Sequence, residues 1–302
     1  MLDKTKPLVV IYHGGSCRDG FCSAFLMHRA FPNAEFVPAN YGDAPPDVAG
    51  KQAAIVDFSY PVDTLRNLQN DCIGNLVVLD HHKTAEPILA EFVRRCLSER
   101  LGDPVAVYDV TKCGAMLTWE FLIGHNLFDP FDVIPEWKEP PVLVQYVQDR
   151  DLWKWELPDS KLVNEGIRLA KLEFDAWNTL LMQCEHLLGN VADHGRIVTI
   201  RNQAIIESHV KHAVIVELEG YEVPMVNCTV DLTSEVCGAL AVGRPFAIAY
   251  FDSGDGKRVY SLRSAPDGVD VSVIAKMHGG GGHKHAAGFT VELPKHQPWL
   301  QA

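Results

Sequence analysis

The sequence predicts an α/β fold: an N-terminal doubly wound, mostly parallel sheet, followed by a smaller C-terminal α/β domain. Three observations carry this. Short apolar runs recur through the first 110 or so residues, and each ends in a polar or acidic side chain. The runs are continuous rather than alternating, which suits strands covered on both faces. After a helical middle, strand-like runs return from about residue 213 and alternate with shorter helical stretches.

The first strand is expected at residues 8–13 (LVVIYH), with a weaker candidate at 34–37. Residues 53–57 (AAIVD), 76–80 (LVVLD) and 104–109 (PVAVYD) repeat the pattern and end in aspartate. Asp19 can cap a helix in which Phe21 and Phe25, and Cys22 and Leu26, share a face at i,i+4 spacing. Residues 61–69 suit a helix between the third and fourth strands. Helical spacing dominates 113–123, 141–149, 174–188 and 193–210. Strands follow at 214–216, 223–226, 246–251 and 259–262, with helices at 234–242 and 271–277 and a turn at 252–256. The expected organisation is a domain over 1–190, a helical connector over 191–212 and a second domain over 213–302.

The chain has 302 residues, 47% hydrophobic and 22% charged, with a formal net charge of −12. That acidity disfavours a grip on long duplex nucleic acid, because phosphate neutralisation needs clustered cations. No apolar run approaches the roughly 18 residues of a bilayer span, so no membrane partner is expected. The polar start MLDKTKP lacks the apolar core of a secretory signal. Eight scattered cysteines without a C-x-x-C pair exclude a zinc ribbon and a thioredoxin motif. Reduced thiols and a cytoplasmic location are the expectation.

In an open α/β sheet, ligands bind beyond the carboxyl ends of the strands. The first strand ends in His13, with Asp19 shortly after. The third ends in Asp57 and the fourth in Asp80-His81-His82. Carboxylates and imidazoles converging there suit a cation, with Mn²⁺, Mg²⁺ or Co²⁺ fitting oxygen-rich donors better than a thiolate-seeking metal. A second signal is the run GGGGHKHAAG at 279–288. Consecutive glycines let several amides point at one anion. Arg263 at a strand end is a candidate bidentate phosphate clamp. Trp153 and Trp155 are expected in the core, with base stacking as the alternative.

At Asp80-His81-His82, Arg263 and the glycine run, in that order, the chain resembles the DHH phosphoesterase superfamily in its DHHA1 branch. The opening Tyr12-His13-Gly14-Gly15-Ser16-Cys17-Arg18-Asp19 is most similar to the oligoribonuclease and cyclic-nucleotide phosphodiesterase group. The resemblance covers nearly the whole chain. It implies an N-terminal DHH domain, a C-terminal DHHA1 domain and metal-dependent hydrolysis of phosphate esters, usually with Mn²⁺. It assigns His13, Asp19, Asp57 and His81 as metal ligands, together with the aspartate of a fourth motif in QDRDLW. Asp149 is favoured there, with Asp151 as the alternate. Asp80 would orient His81, and His82 would face the substrate phosphate; these two are the catalytic candidates. Arg263, Gly280, Gly281, Gly282 and His283 would hold a substrate phosphate across an interdomain cleft.

One departure stands out. Cys17 occupies the position where the superfamily's first motif commonly has a second aspartate, so either one or two ions remain open. The expected substrate is a short oligonucleotide or cyclic nucleotide, cleaved to mononucleotides. A pyrophosphate or polyphosphate hydrolase and a non-catalytic nucleotide-binding module are the alternatives. A homodimer is compatible with the sequence.

Overall fold

The computed structural model describes residues 2–128 and 139–293. The chain divides into two units, residues 1–197 and 198–302.

In the first unit, β1 (Leu8–His13), β2 (Glu35–Ala39), β3 (Gln52–Val56), β4 (Val77–Asp80) and β5 (Val105–Tyr108) form a parallel sheet in the order β2-β1-β3-β4-β5. The apolar runs are buried on both faces. Val10, Val56, Val77 and Leu79 join one core, against α1 (Arg18–Ala30), α4 (Gly114–Gly124), α5 (Val142–Asp151) and α7 (Phe174–His186). Val9, Ile11, Ile55 and Val78 join the other, against α2 (Val62–Asp71) and α3 (Ala85–Glu99). Each such aliphatic side chain contributes roughly 1.5–3 kcal/mol on burial. The order places a switch point between β1 and β3, where the chain crosses from one side of β1 to the other.

Two helices go beyond the elements read from the sequence. In α3, Ala85, Leu89, Phe92 and Cys96 are buried at spacings of four, three and four, and Pro87 sits in the first turn, where proline is tolerated. The other is α6 (Ser160–Arg168), whose buried face carries Val163 and Ile167. The unit boundary falls within α8 (Leu188–Lys211).

The second unit holds β6 (Val214–Leu218), β7 (Tyr221–Asn227), α9 (Thr233–Ala241), β8 (Ala247–Asp252), β9 (Lys257–Arg263), α10 (Val271–Met277), β10 (Gly281–His283) and β11 (Ala286–Glu292). Its mixed sheet runs β10-β11-β9-β8-β7-β6, parallel between β7 and β8 and antiparallel elsewhere. Phe246, Ile248, Leu262 and Phe289 pack with Val271 and Ile274 of α10. Among the described residues, no helix is long and apolar enough to cross a membrane.

Candidate metal centre

Asp57 follows β3 by one residue. Its amide donates to Leu79 O of β4 at 2.8 Å, and its φ is +57°. Few side chains accept that left-handed backbone; aspartate is among the better tolerated. The turn buries the carboxylate between two strand ends. Oδ2 lies 3.6 Å from His13 Nδ1, and Oδ1 lies 3.1 Å from His81 Nε2. One carboxylate thus meets imidazoles from two strand ends. Space for it comes from Gly114, where a Cβ would stand 2.4 Å from the Asp57 Cβ.

Two sets of donors form around it. His13, Asp57 and His82 bring ligand atoms within 4.8 Å of one another, and so do Asp19, His81 and Asp151. Asp19 is anchored at the start of α4, accepting from Gly114 N at 2.6 Å and Ala115 N at 2.8 Å. His81 Nε2 is 3.6 Å from Asp19 Oδ2 and 3.5 Å from Asp151 Oδ2.

Four sequence expectations are changed here. Asp149 lies outside both sets. Its buried carboxylate accepts from Glu156 N at 2.9 Å and from the Ser160 hydroxyl, closing the turn after α5. Asp151 takes its place beside His81. Asp80 holds His82 rather than His81, accepting from His82 N at 3.0 Å and sharing a 2.8 Å hydrogen bond with Nδ1. That leaves His82 Nε2 for the cluster with His13 and Asp57. The N-cap of α1 is Cys17, whose Sγ accepts from Gly20 N at 3.3 Å; Asp19 is spent on α4 instead. The Cys17 thiol also donates to Asp57 Oδ2 at 3.5 Å. Burial, aided by the charges of Asp57 and Asp19, pushes that thiol well above its ordinary range, so it is a donor. Finally, Trp153 is 73% exposed, not core.

The electrostatics suit a cation. Burial raises the Asp19 carboxyl, and the charges of Asp57 and Asp151 raise it further. Burial and Asp57 likewise raise Asp151. Burial also pushes Asp57 upward, but the imidazoles of His13 and His81 outweigh it and hold the group below the usual carboxylate range. Among the described residues, His13 Nδ1, Asp57 Oδ1 and Asp80 Oδ2 are buried without a hydrogen bond of good geometry. Such orphaned atoms cost about 1–3 kcal/mol each. Divalent ions among these oxygen and imidazole donors would satisfy His13 and Asp57, and the donor chemistry fits Mn²⁺ or Mg²⁺.

Beside the cluster is a groove of about 440 Å³, lined by His13, Asp19 and Asp151 together with Arg18, Arg150 and the Gly14–Ser16 loop. Tyr41 contacts His13 edge-on at 5.7 Å and His82 at 6.3 Å.

In the second unit, Arg263 and Gly280, Gly281 and Gly282 line one groove of about 480 Å³. Arg263 Nη2 donates to Ser234 Oγ at 3.0 Å, and Nη1 to Leu262 O at 2.9 Å. The glycine run is more ordered than a loop cradle. Gly280 N is used on Ala275 O at 2.9 Å, and a Cβ there would fall 2.0 Å from Gly288 O. Gly281 and Gly282 belong to β10, an edge strand with alternate amides outside the ladder. The His283 side chain lies outside the described residues.

A family model, the DHHA1 domain, matches residues 228–301. Over 96% of its length the chain is 27% identical to the uncharacterized protein R106 of Acanthamoeba polyphaga mimivirus, covering 68% of that protein. It is 28% identical to oligoribonuclease NrnB of Bacillus subtilis strain 168 over 72% of its length, and spans 53% of that protein.

The DHHA1 match and the likeness to these proteins point to the DHH phosphoesterase superfamily.

The chain's fold is similar to that of RecJ from Thermus thermophilus, solved in complex with Mn²⁺, at a TM-score of 0.52 and 16% identity. The match covers 96% of this chain and 50% of RecJ. Sequence reasoning missed four residues beside the cluster: Asn40 and Arg150, which line the groove, Tyr41 against His13, and Gly114 against Asp57. Gly114 and Arg150 sit beside recognisable motifs, in Cys113-Gly114 and Asp149-Arg150-Asp151. Asn40 and Tyr41, just past a weak strand, carry no sequence signal.

Proposed function

We propose that this chain is a divalent-metal-dependent phosphodiesterase that hydrolyses short oligonucleotides or cyclic dinucleotides to mononucleotides, with Mn²⁺ as its ion. The observation that carries the reading is the Asp57 carboxylate set between two donor clusters, with one oxygen toward His13 and the other toward His81. His13, Asp57 and His82 would hold one ion; Asp19, His81 and Asp151, with Asp57, would hold the other. Ions so held supply Lewis acidity and lower the pKa of water. The chain's own residues do the rest. Asp80 fixes the His82 ring through Nδ1, and the first turn of α4 holds Asp19 in place.

Arg263 and the edge strand β10 are proposed to recognise a substrate phosphate. Similarity to an oligoribonuclease and to a Mn²⁺-bound RecJ supports the substrate class and the ion. The net charge of −12 argues against a long-strand substrate. Eight free cysteines suit a reducing cytoplasm.

The test is turnover of a linear dinucleotide, a cyclic dinucleotide and pyrophosphate, with Mn²⁺ and after exhaustive chelation. Nucleotide hydrolysis that needs metal and falls at least about a hundredfold in Asp57→Asn is the expected result. Preferential pyrophosphate turnover, or full activity without metal, would refute it.

A further inference from the structure

We infer that the strap leaving α5, from Arg150 to Trp155, is a nucleotide subsite: Arg150 takes a substrate phosphate in the groove beside Asp151, and Trp153 stacks the attached base. The inference rests on the phosphodiesterase reading and narrows it to substrates with a nucleobase next to the phosphate being recognised.

Arg150 and Arg18 both line the groove that holds His13, Asp19 and Asp151. Arg18 is tied to backbone carbonyls, donating to Arg168 O at 2.9 Å and to Ser16 O at 3.3 Å. Its charge is therefore not cancelled by a carboxylate there. Among the described residues, Arg150 makes no ion pair within 4.0 Å with a carboxylate. Two guanidinium groups beside metal-capable carboxylates suit a phosphate, whose oxygens can answer both.

Trp153 supplies the second half. An indole 73% exposed to solvent is a large apolar face left without cover. It is also held rather than loose. Trp153 N donates to Arg150 O at 3.0 Å, and Lys154 N donates to Asp149 O at 2.9 Å. The Trp155 ring meets it edge-on at 5.0 Å and lies under the Lys161 ammonium at 5.7 Å. Both tryptophans have φ of +57°, a backbone that bulky residues adopt only when the surroundings impose it. The Arg150–Trp153 hydrogen bond starts the two side chains within one turn of each other, which matches the short reach from a nucleotide's phosphate to its base. Every base has a π-face, so this platform selects for nucleotides without selecting sequence.

The test is calorimetric titration of AMP and of ribose 5-phosphate, with Mn²⁺ present, into wild type, Trp153→Ala, Trp153→Phe and Arg150→Ala. Trp153→Ala is expected to weaken AMP about tenfold and to leave ribose 5-phosphate unchanged. Trp153→Phe keeps a stacking face and stays within about threefold of wild type. Arg150→Ala weakens both ligands alike, about tenfold. Wild-type AMP affinity in Trp153→Ala, equal losses for the two ligands, or no AMP binding by wild type would overturn the subsite. Dinucleotide hydrolysis is measured separately. AMP preference through Trp153 without dinucleotide turnover refutes the phosphodiesterase reading and leaves the subsite standing.

Discussion

Replacing Gly114 with alanine puts a methyl group where Asp57 already is. The new Cβ would lie 2.4 Å from the Asp57 Cβ and 2.7 Å from Oδ1. Carbon atoms pack at about 3.5–4.0 Å, so one partner must shift by about 1 Å. Gly114 cannot retreat freely, because its amide holds Asp19 at 2.6 Å. The displacement is therefore shared by a carboxylate of each donor set. Overpacking costs about 1–3 kcal/mol, and the better helix propensity of alanine returns about 0.5–1 kcal/mol. The net is about 0–2.5 kcal/mol, or a Tm lowered by at most about 10 °C for a unit of this size. Misplacing a reactive group by about 1 Å costs roughly a hundredfold in rate. The assay is Mn²⁺-dependent dinucleotide hydrolysis alongside thermal unfolding. Loss of at least about thirtyfold in kcat with a folded protein is expected. If Gly114→Ala keeps kcat within about threefold and binds Mn²⁺ as wild type does, Asp57 is not held where the chemistry needs it.

Asp151→Asn should weaken Mn²⁺ binding and turnover at least about tenfold, whereas Asp149→Asn should mainly lower the Tm by loosening the Glu156 and Ser160 hydrogen bonds; Mn²⁺ titration and melting of both variants separate these outcomes. The hydrogen bond to Asp80, opposed by burial, raises His82 above its ordinary 6.5. In chelated protein that stabilisation is complete below about pH 6.5 and disappears as pH rises through the raised value, so the Tm gap between wild type and His82→Gln should be larger at about pH 5.5 than at about pH 8.5. Cys17→Asp retains an N-capping side chain and adds a carboxylate next to Asp57, so Mn²⁺ affinity should rise and metal-free stability fall; unchanged affinity would place position 17 off the site.

Much of the fold was legible because burial on both faces leaves a plain trace. The runs at 8–13, 53–57, 76–80 and 104–109 all became strands or strand ends of the parallel sheet. The short β10 was not, because Gly281 and Gly282 have no side chains from which a pattern can be read. The weak second strand became β2, whose role as an edge leaves it half-exposed and compositionally faint. Candidate ligands at strand ends were legible for a similar reason: a parallel sheet brings every carboxyl end to one side, whatever lies between.

The sequence by itself determined the doubly wound sheet, the strand-end donors His13, Asp57 and His81, and the pairing of Arg263 with a glycine run. Only the tertiary structure decided which neighbour in each motif does what. Asp149 and Asp151 are two residues apart on α5, and at 3.6 residues per turn their side chains point about 200° apart. One must face the strap and Ser160, the other His81, and nothing in QDRDLW says which. His81 and His82 likewise divide between the two donor sets because Asp80 captures one ring and leaves the other to Asp19 and Asp151. Chain direction at a single residue depends on what packs against it from distant sequence, so side-chain identity was readable along the chain and side-chain aim was not.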